Sequence, residues 1–146
     1  MPDIKVFEGV TSVVFNEKIS DHISTYEIFN RIGENGIDLD MISAELTIND
    51  TLSVGFTLPD EELPKLLTLI KSESITTPAV NCGNVKFIIK SEKMINCPGY
   101  AARIFSALRN AGCIPLLVTT GVDEISLLVR DSDSIDAAKA LETVIV

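Results

Sequence analysis

Basic residues are scarce in this chain. Its 12 Lys and Arg stand against 21 Asp and Glu, a net charge of −9, and the cations never gather into a run longer than a residue or two. A surface of that sign repels phosphate backbones and anionic headgroups, so nucleic acid and membrane are not expected as partners. No apolar run approaches the roughly 18 residues that a membrane helix needs. The opening residues, Met1-Pro2-Asp3-Ile4-Lys5, lack a basic segment followed by an apolar one, so nothing suggests export. Histidine occurs once, as His22. The three cysteines, Cys82, Cys97 and Cys113, are odd in number and without C-x-x-C spacing, which indicates neither a disulfide framework nor a zinc site. No Gly-rich phosphate loop occurs. The expectation is a reduced, cytoplasmic protein with no metal and no cofactor.

Apolar residues, by contrast, are plentiful. They make up 46% of 146 residues and the mean hydropathy is +0.30, which is high for a chain without a membrane span, so part of the apolar surface is expected to lie in an interface. The pattern also repeats. Ile28, Phe29, Ile32 and Gly36 fall on Ile104, Phe105, Leu108 and Gly112, each pair 76 positions apart, and a β-compatible run follows each set at residues 39–43 and 115–119. One duplication accounts for nearly the whole chain and predicts two units, residues 1–77 and 78–146. Domains of about 70 residues have thin cores and are expected to pack on each other or on a second copy.

In order along the chain, residues 4–7 and 10–15 read as two short strands broken at Glu8-Gly9. A helix carrying Tyr26, Ile28, Phe29 and Ile32 follows, with Ser20 or Asp21 as its cap and Gly33 and Gly36 at its end. Residues 39–48 and 52–58 read as a hairpin turning at Asn49-Asp50, and Pro59-Asp60-Glu61-Glu62 opens a second helix bearing Leu63, Leu66, Leu67 and Ile70. In the second half, a strand over 85–90 leads to a helix over 96–111, a hairpin turning near Gly121-Val122-Asp123, a helix opened by Asp131-Ser132-Asp133-Ser134, and a terminal strand over 143–146. Each half is strand, helix, strand, strand, helix and strand. The predicted class is α+β: two tandem ferredoxin-like βαββαβ units, each an antiparallel sheet with its helices on one face. The run over 4–7 is surplus to the first unit, so either it or Ala79-Val80 is expected to complete the other unit's sheet.

The helix over 96–111 has an opening turn suited to holding an anion. Pro98 has no N–H to lose at a helix start, Gly99 lets another group approach the backbone, and the first-turn N–H groups lie at the positive end of the helix dipole without intrahelical acceptors. A small carboxylate is the natural guest. Ala101, Ile104, Phe105 and Leu108 form the expected buried face. Asp40, near the start of a strand, offers a partner for an ammonium group, or is simply a solvated strand end.

These residues carry a resemblance. Cys97-Pro98-Gly99-Tyr100-Ala101-Ala102-Arg103-Ile104-Phe105 is similar to the x-P-G-x-A-A-x-x-F turn and helix of the ACT domains that form the regulatory half of aspartokinases. The hairpin from Leu117 to Arg130 is similar to the one that follows there, and Gly36-Ile37-Asp38-Leu39-Asp40-Met41-Ile42 resembles the A-G-I-N-V-D-M-I segment of that family. The resemblance spans almost the full length. The chain departs from it in places: in the first repeat Asp21-His22-Ile23-Ser24 stands where the family usually has Asp-x-Pro-Gly and Ala44-Glu45 where it often has Gln-Asn, and in the second Val122 stands where the family often has Glu. Nothing matches the kinase's lysine-bearing motif or its nucleotide-binding domain.

The resemblance implies a non-enzymatic, amino-acid-binding regulatory module that acts through dimerisation or a partner enzyme of amino-acid metabolism. Its ligand residues would be Asn96, Cys97, Pro98, Gly99, Tyr100 and Ala101, their first-half counterparts Ser20, Asp21, His22, Ile23 and Ser24, and the strand start Asp38, Leu39 and Asp40. Two other readings accompany it: a regulatory fragment of an aspartokinase, under feedback control by lysine or threonine, and a dimerisation module without a ligand. His22 with its neighbours Ser20, Asp21 and Ser24 makes no hydrolytic triad, because four residues on one turn cannot converge from separate elements around an oxyanion hole. Cys97 reads as a small apolar filler, with redox sensing as the rarer alternative.

Overall fold

The computed structural model describes residues 3–20, 25–72 and 77–145. Its strands are β1 (Asp3–Lys18), β2 (Asp40–Leu46), β3 (Thr51–Pro59), β4 (Ala79–Lys90), β5 (Leu117–Thr120) and β6 (Glu124–Arg130). Its helices are α1 (Thr25–Glu34), α2 (Leu63–Ser72), α3 (Tyr100–Asn110) and α4 (Ser134–Val144). The chain divides into two compact units, one of Gly9–Cys82 and the other of Met1–Glu8 with Gly83–Val146.

The first unit orders its strands β2-β3-β1. β1 pairs antiparallel with β3, from Val10 opposite Pro59 to Lys18 opposite Thr51, and β2 pairs antiparallel with the other edge of β3. Alternation along the strands turns Val13 and Phe15 of β1, and Phe56 and Leu58 of β3, onto one face. There they meet Ile28 and Ile32 of α1 and Leu66 and Ile70 of α2. Phe56 sits at the centre, 6.2 Å from the ring of Phe15 and edge-on to Phe29 at 5.6 Å. Tyr26, assigned to the helix's apolar face from its spacing, is instead exposed, because the stripe that meets the sheet is centred on Ile28 and Ile32, with Phe29 at its margin.

The second unit repeats the plan, with order β4-β6-β5 and β1 on the far side of β4. Val85, Phe87 and Ile89 of β4, with Ile125, Leu127 and Val129 of β6, face Ile104 and Leu108 of α3 and Ala137 and Leu141 of α4. The first helix of each repeat ends alike. Ile37 N–H donates to the Ile32 carbonyl at 3.2 Å and Gly36 N–H to Gly33 at 3.1 Å; in the second repeat Cys113 donates to Leu108 at 2.9 Å and Gly112 to Arg109 at 3.0 Å. Both are Schellman closures, so the glycines 76 positions apart do the same backbone work.

Two elements differ from the sequence reading. Residues 4–7 and 10–15 are not separate strands but parts of β1, which continues through Gly9 at φ +64°. A glycine break signals a turn only when the chain reverses; here the positive φ falls inside a strand that keeps going. Residues 143–144 are the last turn of α4 rather than a strand. In the second unit the strand beside β4 is β1, whose Ile4 packs against the unit's core and whose Phe7 ring lies 5.6 Å from the Lys86 ammonium. The helix is free to run on because the sheet position a terminal strand would take is already filled.

A chain begun at Gly9 is therefore expected to lose roughly 1–3 kcal/mol of stability in the second unit, the scale of losing one large apolar contact. Hydrogen exchange should show faster amides in β4 and β6 and unchanged protection in β3.

Candidate functional site

β4 ends in a series of tight turns that delivers the chain to α3. Ser91, buried at the strand end, donates its N–H to the Asp123 carbonyl at 2.8 Å, and its Oγ accepts from Lys93 N–H at 3.2 Å. Met94, Ile95 and Cys97 then donate back to Ser91, Glu92 and Met94. Asn96 has φ +56° and Gly99 φ +93°, ψ −3°, so neither is helical, and α3 opens at Tyr100 rather than at Asn96 as its sequence suggests. The first N–H to return into the helix is that of Arg103, to the Gly99 carbonyl at 3.1 Å. Those of Tyr100, Ala101 and Ala102 precede it, in the first turn of an eleven-residue helix.

Asn96, Cys97, Pro98, Gly99 and Ala101 are exposed, so the turn faces solvent. Tyr100 is buried, with the Arg103 guanidinium over its ring at 4.9 Å and a hydroxyl that has no hydrogen-bond partner among the described residues. The expected buried face of α3 is narrower than its periodicity suggests: Tyr100, Ile104 and Leu108 are buried, while Ala101 is exposed and Phe105 is 43% exposed. A Cβ built on Gly99 meets nothing within 4 Å. Gly99 is thus required by its left-handed backbone, and the space in front of it is open.

In the first unit, Ser20 is exposed in the turn after β1, and Asp21, His22, Ile23 and Ser24 lie outside the described residues. Asp38 is exposed, Leu39 half-buried against the core, and Asp40 exposed at the start of β2, where its carboxylate accepts from Met41 N–H at 2.8 Å. The sheet register separates these groups. Asp40 is level with Thr57 of β3, whereas the end of β1 that leads to Ser20 is level with Thr51. Six residues of strand are about 20 Å. An α-amino acid carries its two charges on one carbon, so a single unit cannot hold its carboxylate at the helix-opening turn and its ammonium at the strand start. In the second unit, likewise, the end of β4 is level with Glu124 while β5 starts level with Leu128.

Sequence reasoning missed Glu17 and Thr25. The buried Glu17 carboxylate accepts from Thr25 N–H at 3.1 Å and from Thr25 Oγ–H at 2.8 Å, at the start of α1. The signal was present: Glu17 follows Val13 and Phe15 at the inward-facing parity of β1. Elsewhere, burial lowers the Lys86 pKa from the ordinary lysine range, with Glu124 opposing, and burial raises that of the Cys113 thiol, helped by Asp133 and Asp136. Cys82 and Cys97 are exposed. Among the described residues no cluster of three His, Cys, Asp or Glu could hold a metal, and no helix is long and apolar enough to cross a membrane.

Comparison with known proteins bears on the fold and the family resemblance. Residues 87–144 match the family model of the ACT domain. The chain is 29% identical over 130 residues to an aspartokinase of Geobacillus stearothermophilus, an alignment covering 89% of this chain and 31% of that protein. It thus spans about a third of the length of the curated relative it matches. In fold it is similar to the ligand-free regulatory subunit of aspartate kinase from Thermus thermophilus, with a TM-score of 0.84 at 15% identity over 98% of this chain and 97% of that one. It is also similar to aspartate kinase from Synechocystis, at TM-score 0.85 and 18% identity, over 97% of this chain and 26% of the other.

The backbone at Gly99 generates a test of its own. Gly99→Val is expected to destabilise the protein by roughly 1–2 kcal/mol through left-handed strain, whereas Gly99→Asn, a residue that tolerates that region, should cost distinctly less. Urea unfolding of the two variants compares them directly.

Proposed function

With an ACT domain at residues 87–144 and the tandem plan of an aspartokinase regulatory region around it, we propose that this chain works in the cytoplasm as a regulatory module that binds a small amino acid. The observation that carries this reading is the Asn96 to Ala101 turn: exposed, open in front of Gly99, and followed by first-turn N–H groups at the positive end of α3. The ligand's carboxylate would be held there. Its ammonium needs an acceptor from elsewhere, since the strand start lies at the opposite end of the same sheet. A second copy of the chain, presenting a carboxylate such as that of Asp40, supplies one. Binding and dimerisation are then a single event, and a ligand shared by two copies shifts the assembly by its differential affinity for the paired form.

The match to about a third of an aspartokinase favours one elaboration, that the regulated enzyme is an aspartokinase catalytic region, joined to this chain or separate from it. Lysine and threonine, the usual feedback ligands implied by that resemblance, are the first candidates.

A thermal-shift screen of the twenty amino acids is expected to return one or a few that stabilise the protein. For each of these, Gly99→Asn should weaken binding roughly ten- to a hundred-fold by calorimetry, the loss expected when charge-assisted contacts are blocked, while leaving the fold in place. Unchanged affinity in the folded variant would move the carboxylate away from this turn. Light scattering is expected to show a dimer at micromolar concentration, and a monomer that stays monomeric with ligand would overturn the shared-site arrangement.

A further inference from the structure

The duplication supplies a control for the start of α3. Arg103 lies 76 positions beyond Glu27, the offset that relates the two repeats, so the first helix of each repeat carries opposite charges at one place in its opening turn. An acid there is the ordinary choice, because the helix dipole favours anions at its N-terminus and opposes cations. α3 does the reverse. It holds two arginines and no acid, in a chain whose acids outnumber its cations by 21 to 12.

Arg103 is also held in place. A helical side chain covers the turn before its own Cα, and the guanidinium stacks on the ring of Tyr100, the first residue of the helix, at 4.9 Å. It is exposed and makes no ion pair among the described residues. Nearby charges balance without it: Glu92 and Lys93 are neighbours in the lead-in turn, and Lys90 pairs with Asp123 at 3.8 Å. Tyr100 adds a second uncommitted group, a buried hydroxyl with no hydrogen-bond partner among the described residues. A cation set against the helix dipole and a buried unpaired hydroxyl both cost stability. A carboxylate on the first-turn N–H groups offsets the first and brings an acceptor to the residue that carries the second.

We infer that Arg103 sets the ligand class of the α3 turn: it adds to the hold on the carboxylate and selects against a side chain that is itself cationic, so the amino acid bound has an uncharged or acidic side chain. The inference rests on the reading of that turn as a carboxylate site. Every α-carboxylate gains alike from Arg103, so the selection comes from the rest of the ligand. A lysine is shorter than the Debye length of about 10 Å at 0.1 M salt, so its second ammonium is repelled by the guanidinium wherever it points. Of the two first candidates, threonine is therefore favoured over lysine.

The probes are lysine and norleucine, which share the same linear carbon side chain and differ in the terminal ammonium, compared at equal ionic strength. NMR titration follows the amides of Tyr100, Ala101 and Ala102. The wild type is expected to take norleucine roughly three- to ten-fold more tightly than lysine, with the ratio shrinking as salt is added. Arg103→Gln should bring the two affinities together, and Arg103→Glu, which copies Glu27, should reverse their order. Arg103→Lys keeps the charge and should keep the preference; Tyr100→Phe keeps the ring beneath the guanidinium and should keep it too. Arg103 is exposed, so its variants are expected to fold, and the same amide spectra report that they do. A wild type that binds lysine as tightly as norleucine overturns the inference, as does a preference that Arg103→Gln and Arg103→Glu leave unchanged. If neither probe, nor any binder returned by the amino-acid screen, moves those amides, it is the α3 reading itself that fails.

Discussion

Burial of alternate strand residues beneath a pair of helices is the constraint on which both units depend. With about 70 residues apiece, neither can cover two faces of a sheet, so one parity of each central strand carries the core: Val13 and Phe15 with Phe56 and Leu58 in the first, Phe87 and Ile89 with Ile125, Leu127 and Val129 in the second. The same parity reaches beyond the core to the strand ends. The residue after Phe15 or Ile89 on that face is aimed beneath the opening of the next helix whatever its chemistry, which is how Glu17 and Ser91 come to hold equivalent positions with unlike consequences. A one-residue slip would turn both to the opposite face together with the whole core, so the placement is as firm as the core itself.

The strand assignment follows from the same shortage of surface. A ferredoxin-like unit needs a strand on the outer side of its first strand, and the second unit has it in β1, with Ile4 on its core. β1 then continues through Gly9 into the first unit, where its later residues pair with β3. One sixteen-residue strand thus serves both units. Its sequence is apolar on both sides of Gly9, and the glycine, at positive φ, does not end the strand.

For function, the consequence is a division of labour along each sheet. The helix-opening turn is at one end and the following strand start at the other, about 20 Å away in the first unit by strand register. A small zwitterion cannot span that distance. On the proposed reading, a ligand that used both would have to join surfaces that one unit does not bring together.

The sequence alone carried much of this. The duplication, the α+β class, the hairpins and the Schellman closures at Gly36 and Gly112 were legible because each depends on residues within a few positions of one another: apolar period, turn chemistry, a glycine after a helix. The turn at Asn96-Cys97-Pro98-Gly99 was legible as the lead into a helix for the same reason. What only the tertiary structure decided was non-local. The sign of φ at Gly99, and with it the start of α3 at Tyr100, depends on how the turn is anchored to the hairpin at Asp123. The continuity of β1 and the helical end of α4 depend on which strand fills the sheet beside β4. The meeting of Glu17 with Thr25, eight residues along the chain, depends on a strand and a helix docking on one core; sequence specifies which side chains want burial, but only packing settles what they find there.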